Sequence, residues 1–261
     1  MKKLLVLMVG VLLLGTACAG SSGSAKKTVR IGSMGTYPPF SVTDENGNLA
    51  GYDIEVLKLL NSKIPDLQFE YTQMTWDSLF LSLDTDKIDM VANQIARTPA
   101  REEKYLFNDD GYFYAVTLVV VHGDNNSQRN LSDFKGEVVG GIVGDYFTAI
   151  LEEYNEANGF PFEIQYYPEQ YNDIFMDIHL GRIAGTINEV AVVQSVADEL
   201  GLNVKCVGDV VESSASYFAI RSDDFGREIK EKIDKAMKEV LADGSLAAIS
   251  IKYFGEDYTR E

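Results

Sequence analysis

The sequence predicts an α/β fold, on three observations. The chain has 261 residues, 46% hydrophobic and 24% charged, a globular composition long enough for one large domain or two of roughly 100 residues. Strand-like apolar runs alternate with helix-like stretches along most of its length, the pattern of α/β units and mainly parallel sheets. Two amphipathic helices close the chain, and no internal repeat interrupts this order.

At the N-terminus, Lys2 and Lys3 precede an apolar run of eleven residues, Leu4 to Leu14. That is too short for a bilayer-spanning helix of about 20 residues. With the small residues Gly15-Thr16-Ala17 behind it, it reads as a secretory signal over 1–17. Cys18 follows, and the stretch resembles a bacterial lipobox, with Gly15 where such motifs usually carry Leu. The resemblance implies that Cys18 is lipidated and anchors the protein to a membrane. Residues 18–27, small and polar after the cysteine, form a flexible tether.

Beyond the tether, strands are predicted at 28–33, 67–73, 88–92, 114–121, 137–142, 162–167, 183–187 and 203–207. Helices are predicted at 53–63, 76–83, 145–157, 170–180, 189–199, 225–241 and 244–254. Thr98-Pro99 marks one more helix start, Thr as N-cap and Pro at the first helical position. Arg101 then falls in the first turn, where its charge opposes the helix dipole. A cation so placed calls for an anion, either a ligand or a neighbour such as Glu102, Glu103 or Asp109. Tyr37 and Phe40 sit in a Pro-stiffened loop after the first strand, and Trp76 in the loop after the second. Open α/β sheets put their ligands at such carboxyl ends of strands, although from the residues alone core packing is the favoured reading of these aromatics.

Charge and motifs exclude several function classes. Removing Lys2 and Lys3 from 23 basic residues leaves 21 against 40 acidic ones, a balance of −19. That argues against nucleic acid as a partner and against lying flat on anionic lipid. There are two histidines, His122 and His179, and neither adjoins a nucleophile motif. No GxSxG, HExxH, paired CxxC or GxxxxGK[ST] occurs, so no catalytic residue, metal or cofactor is expected. With Cys18 lipidated, Cys206 has no partner and is expected in a buried strand.

Several stretches together carry a family resemblance: IGSMGTYPPFSVTDENGNLAGYDIEVLKLL (31–60), MTWDSLFLSLDTDKIDMVANQIARTPAREEKYLF (74–107), VVGGIVGDYF (138–147), GRIAGTINEVAVV (181–193) and LAAISIKYFG near the end. In order and over residues 28–256, the chain resembles the family 3 solute-binding proteins, the polar-amino-acid receptors of ABC importers. The resemblance implies the two-lobed periplasmic-binding-protein fold of type II. Lobe 1 would comprise 28–113 and 218–261, and lobe 2 114–217, with hinge crossovers near 114–116 and 214–217. A monomer is implied, with an amino acid ligand and a permease as partners.

The resemblance also assigns the ligand site. Arg101 matches the arginine that grips the ligand's α-carboxylate, and Glu189 matches the acid that receives its α-ammonium. Tyr37 and Trp76 match the two aromatics that sandwich the ligand side chain. Gly144, Asp145 and Tyr146 match a loop whose N–H groups reach the carboxylate from lobe 2. Ala96 stands where the family commonly has a Thr, with Arg97 as a candidate substitute, and Met34 where many members carry an acid. Without that acid, cationic side chains are disfavoured. Asn93-Gln94 followed by xxRTPxRE is most similar to the cystine-binding branch, so cystine or another neutral polar or sulfur amino acid is expected. The same fold also serves dehydratases of prephenate-like substrates and sensory amino-acid-binding modules, which are the alternatives.

Overall fold

The protein is described by a computed structural model over residues 26–260. The expected signal, Cys18 and the tether as far as residue 25 lie outside the described residues. In chain order come β1 (Lys27–Ser33), β2 (Thr36–Tyr37), β3 (Ser41–Thr43), β4 (Leu49–Ala50), α1 (Tyr52–Lys63), β5 (Leu67–Gln73), α2 (Trp76–Asp84), β6 (Met90–Ala96), α3 (Pro99–Glu102), β7 (Leu106–Phe107) and β8 (Phe113–His122). After a single 3-10 turn follow β9 (Val138–Ile142), α4 (Tyr146–Ala157), β10 (Glu163–Tyr167), α5 (Tyr171–His179), β11 (Gly185–Glu189), α6 (Val190–Leu200), β12 (Val204–Ile220), α7 (Asp224–Ala242) and α8 (Ser245–Phe254).

One mixed sheet runs in the order β10-β9-β11-β8-β12-β6-β1-β5, with β7 added on β12. Its two flanks are parallel: β1 pairs with β5 and β6, and β9 with β10 and β11. Parallel neighbours need crossovers, and helices supply them on each flank. Strands β8 and β12 join the flanks and run antiparallel to each other from Val204↔His122 to Ser216↔Phe113. The expected strand at 203–207 is thus the start of one 17-residue strand. Antiparallel pairing with β8 carries it past the polar residues Glu212, Ser213 and Ser214, which sequence pattern alone breaks as a loop.

Local chemistry explains several element ends. Gly51 precedes α1 with φ +102°, and a Cβ there would meet the Phe40 carbonyl oxygen at 2.5 Å, so only glycine fits. Asp145 and Asp223 cap α4 and α7, accepting from the N–H groups of Phe147 and Gly226. The core of the first flank is aromatic: Phe40, Tyr52, Phe113 and Phe254 have ring centroids 4.8–5.9 Å apart. Phe254 lies on α8, so the last helix returns to the first flank.

The structure corrects several boundaries. The small sheet β2-β3-β4 lay beneath the length that a periodic pattern reveals. The strand expected at 88–92 is Met90–Ala96. Lys27, expected at the end of the tether, opens β1. Cys206 is a free, half-buried thiol in β12, whose burial pushes its pKa up to about 12. His179 Nδ1 accepts the Asn203 N–H at 2.9 Å, so its polarity is satisfied by the fold.

Candidate functional site

A partly enclosed cleft lies between the two flanks. Its lining follows the carboxyl ends of the parallel strands. Met34 and Tyr37 come after β1, Trp76 after β5, Arg101 after β6, Asp145 after β9 and Glu169 after β10, while Glu189 ends β11. This is where an open α/β sheet leaves a crevice.

Arg101 is set by its short helix. Thr98 caps α3, its hydroxyl accepting the Arg101 N–H at 3.2 Å, with Pro99 in the first position. The side chain donates from Nη1 to the Ala96 carbonyl oxygen at 3.0 Å, and the guanidinium lies 5.0 Å from the Phe80 ring centroid and 5.8 Å from that of Trp76. Burial lowers its pKa, and the Asp145 carboxylate opposes that shift. Among the described residues Arg101 forms no ion pair, and Asp109, one of its candidate partners, pairs with Lys230 at 2.5 Å. The dipole reasoning, however, needs correction. The helix is four residues long, so Arg101 sits in its first and last turn at once and meets almost no macrodipole.

Glu189 stands on the opposite wall, 4% exposed. Its Oε2 has no hydrogen-bond partner among the described residues, nor do the neighbouring Asn188 Nδ2 and the Oγ1 of Thr117, which lies opposite Glu189 in register. Burial, together with the charges of Asp53 and Asp145, pushes the Glu189 pKa up to about 8. A buried acceptor left open is costly unless something donates to it.

Aromatic rings close the space between these poles. Trp76 is 9% exposed and packs edge-on against Phe80 at 5.8 Å. Tyr37 reaches across the cleft: its hydroxyl donates to Asn188 Oδ1 at 3.4 Å and its ring centroid is 6.3 Å from that of Tyr171. Core packing and cleft lining are therefore combined in the same side chains.

Of the residues singled out from the sequence, Met34, Tyr37, Trp76, Gln94, Ala96, Arg101, Asp145, Tyr146 and Glu189 line this one cleft. Gly144 does not; its φ of +72° makes the turn that aims Asp145 and Tyr146. The Asp145 carboxylate accepts the Tyr171 hydroxyl at 2.5 Å and the Phe147 N–H at 3.0 Å, and burial still raises its pKa. Arg97 is not a substitute at Ala96, because it lies 4.1 Å over the Tyr217 ring and donates to the Asn108 carbonyl outside the cleft. Asn93, Ile142, Phe147, Glu169, Tyr171, Ser214 and Ser216 also line the cleft. Glu169 and Tyr171 occupy a strand-to-helix junction like that of Trp76, a signal open to sequence reading. Ser214 and Ser216 lie within β12 and carry no such signal. The lining holds three carboxylates, Asp145, Glu169 and Glu189, against the Arg101 guanidinium. A second cation on a ligand would not lack an acid, which corrects the expectation drawn from Met34.

The chain belongs to the bacterial extracellular solute-binding proteins, family 3, whose model matches residues 29–256. It is 31% identical over 247 residues to the L-cystine-binding protein TcyK of Bacillus subtilis, covering 95% of this chain and 91% of that protein. A solved structure described as a putative L-cystine ABC transporter from Listeria monocytogenes superposes with TM-score 0.82 at 31% identity, covering 90% of this chain and 98% of the other. An ancestral arginine-binding protein bound to arginine superposes with TM-score 0.78 at 29% identity, covering 88% and 99%. These neighbours share the two-lobed fold of amino-acid-binding proteins.

Proposed function

We propose that this protein is the extracytoplasmic receptor of an amino acid ABC importer, binding an α-amino acid between its lobes and delivering it to the permease. One observation carries the reading. A guanidinium with no ion pair among the described residues, Arg101, and a buried carboxylate with an open oxygen, Glu189, face one cleft from opposite walls. An α-amino acid brings the complement of both. Arg101 would take the α-carboxylate in two parallel charge-assisted bonds, and Glu189 the α-ammonium. The N–H groups of the Asp145-Tyr146 turn would add donors to the carboxylate, and Tyr37 and Trp76 would cover the side chain.

Lobe 1 is taken as 28–113 with 218–261, and lobe 2 as 114–217. Support comes from the register Ser213↔Val116, Ser214↔Ala115, Ala215↔Tyr114 and Ser216↔Phe113, which sets both crossovers side by side as a two-stranded hinge. A ligand bonded to both walls binds the closed form better than the open one, and that difference in affinity drives closure. The named relatives support cystine or a related polar amino acid. A dehydratase of a prephenate-like dicarboxylate fits less well, because the cleft would set that dianion among three carboxylates. The sequence around Cys18 supports lipid anchoring, with the lobes carried on the tether outside the membrane. A thermal-shift screen of the mature protein against the amino acids and cystine tests the reading. A ligand at 100 times its dissociation constant should stabilise the fold by roughly 2.7 kcal/mol, and no shift with any of them would reject it.

A further inference from the structure

Gln94 is the cleft residue whose backbone is most unusual. Its φ is +51°, a left-handed conformation in the middle of β6. Among the described residues, the other non-glycine residues with positive φ, Asp86 and Phe160, lie in the connections after α2 and α4, outside any strand. In β6 the pairing with β12 jumps from Ile95↔Tyr217 to Val91↔Ala219, so β6 bulges over residues 92–94. A non-glycine residue persists in that region only where its surroundings over-determine it.

The over-determining group is Asp53. It is the second residue of α1, wholly buried, and does not line the cleft. Its carboxylate accepts the Gln94 backbone N–H at 3.1 Å and the Gln94 Nε2 at 2.5 Å. On its other side, Gln94 Oε1 accepts the Ser216 hydroxyl at 2.6 Å. Ser216 pairs with Phe113 of β8 and Ala96 of β6 at once, where the crossover strand enters the first flank. The bulge in turn sets two parts of the cleft. Asn93 Oδ1 accepts the Met34 N–H at 3.0 Å, and the Ala96 carbonyl holds Arg101.

We infer that Asp53 is a positioning residue for the ligand cleft: acting through Gln94, it holds the β6 bulge in its binding shape and ties that shape to the hinge strand through Ser216. The inference rests on the amino-acid reading of the cleft and adds a residue outside the cleft lining. It also explains why a helix N-terminus, where a carboxylate is ordinarily a solvated partner of free N–H groups, buries one completely.

The test is a double-mutant cycle with Gln94→Gly, since glycine takes the left-handed conformation without help. The probes are the proteinogenic amino acids and L-cystine, each titrated by calorimetry. Asp53→Ala should weaken every probe that binds the wild type by tenfold or more. Asp53→Asn should stay within about threefold, because the Gln94 amide can turn over and offer its oxygen to the new amide and its NH₂ to Ser216. In the Gln94→Gly background, Asp53→Ala should cost less than threefold. An equal loss in both backgrounds, or no loss in either, overturns the inference. If Asp53→Ala does not fold, Gln94→Ala against Gln94→Gly decides: alanine should bind at least tenfold more weakly than glycine, and equal binding overturns the inference. A wild type that binds some probe while the cycle is additive refutes the role of Asp53 alone. A wild type that binds none refutes the proposed function and this inference together.

Discussion

Ligand binding should be linked to protons through Glu189, whose pKa the empty cleft pushes from 4.5 up to about 8. Between those values the folded, empty protein holds a proton that the unfolded chain has released. Stability of the empty protein therefore falls as pH rises through this window, by roughly 1.4 kcal/mol per unit at most. Asp53, pushed from 3.8 up to about 7, acts in the same direction over a lower window. The two acids repel each other, so their contributions are not independent. A bound ammonium needs the ionised Glu189, so binding must expel its proton. Affinity should rise about tenfold per pH unit between pH 6 and 8, the converse of the empty protein's stability. Calorimetry at pH 7 in phosphate and in Tris reads the released proton directly as a difference in apparent enthalpy, and close to one proton per ligand is expected. Glu189→Gln should abolish the release and weaken binding by about 2–5 kcal/mol. Equal enthalpies in the two buffers, or an Glu189→Gln profile that matches wild type, would refute the placement of the ammonium at Glu189.

Arg101→Ala should nearly abolish amino acid binding, by about 2–5 kcal/mol, and Arg101→Lys should recover little. Denaturant unfolding of the empty Arg101→Ala protein should show a loss of only about 1 kcal/mol, since among the described residues the side chain makes one hydrogen bond, to a carbonyl, lies over two rings and forms no ion pair. Trp76→Ala should lower both stability, by about 3–5 kcal/mol, and affinity, by about 1–3 kcal/mol, and ligand should perturb the fluorescence of this lone tryptophan in the wild type. Cystine, with two ammonium groups, should bind at least tenfold more tightly in calorimetry than S-methylcysteine, which has one. Equal affinities would mean that Asp145 and Glu169 do not meet the far end of the ligand. Cys18→Ser should end metabolic palmitate labelling, and labelling that persists would place the lipid elsewhere.

The sequence by itself determined the order of the elements and most of the cleft. Apolar runs and helical periods state where a chain can bury its surface, so β1, β5, β9 and the long helices were legible from local pattern. Arg101 and Glu189 were legible only through the family resemblance, which a sequence carries without coordinates; from the residues alone Arg101 reads equally as the partner of a neighbouring acid. Three things were decided only by tertiary structure. Strand β12 is continuous through Ser213 and Ser214 because β8 pairs with it, and a polar stretch shows no such partner in one dimension. The acid balance of the cleft needed both walls in place, since Glu169 and Asp145 lie far along the chain from Met34. The role of Asp53 was hidden most deeply. An acid in a helix's first turn is ordinarily a surface group, and only the fold, by burying it against the left-handed Gln94 on another strand, turns it into the support of the cleft. Local pattern records what each segment favours alone, whereas burial and hydrogen-bond partners are set by segments far apart in the chain.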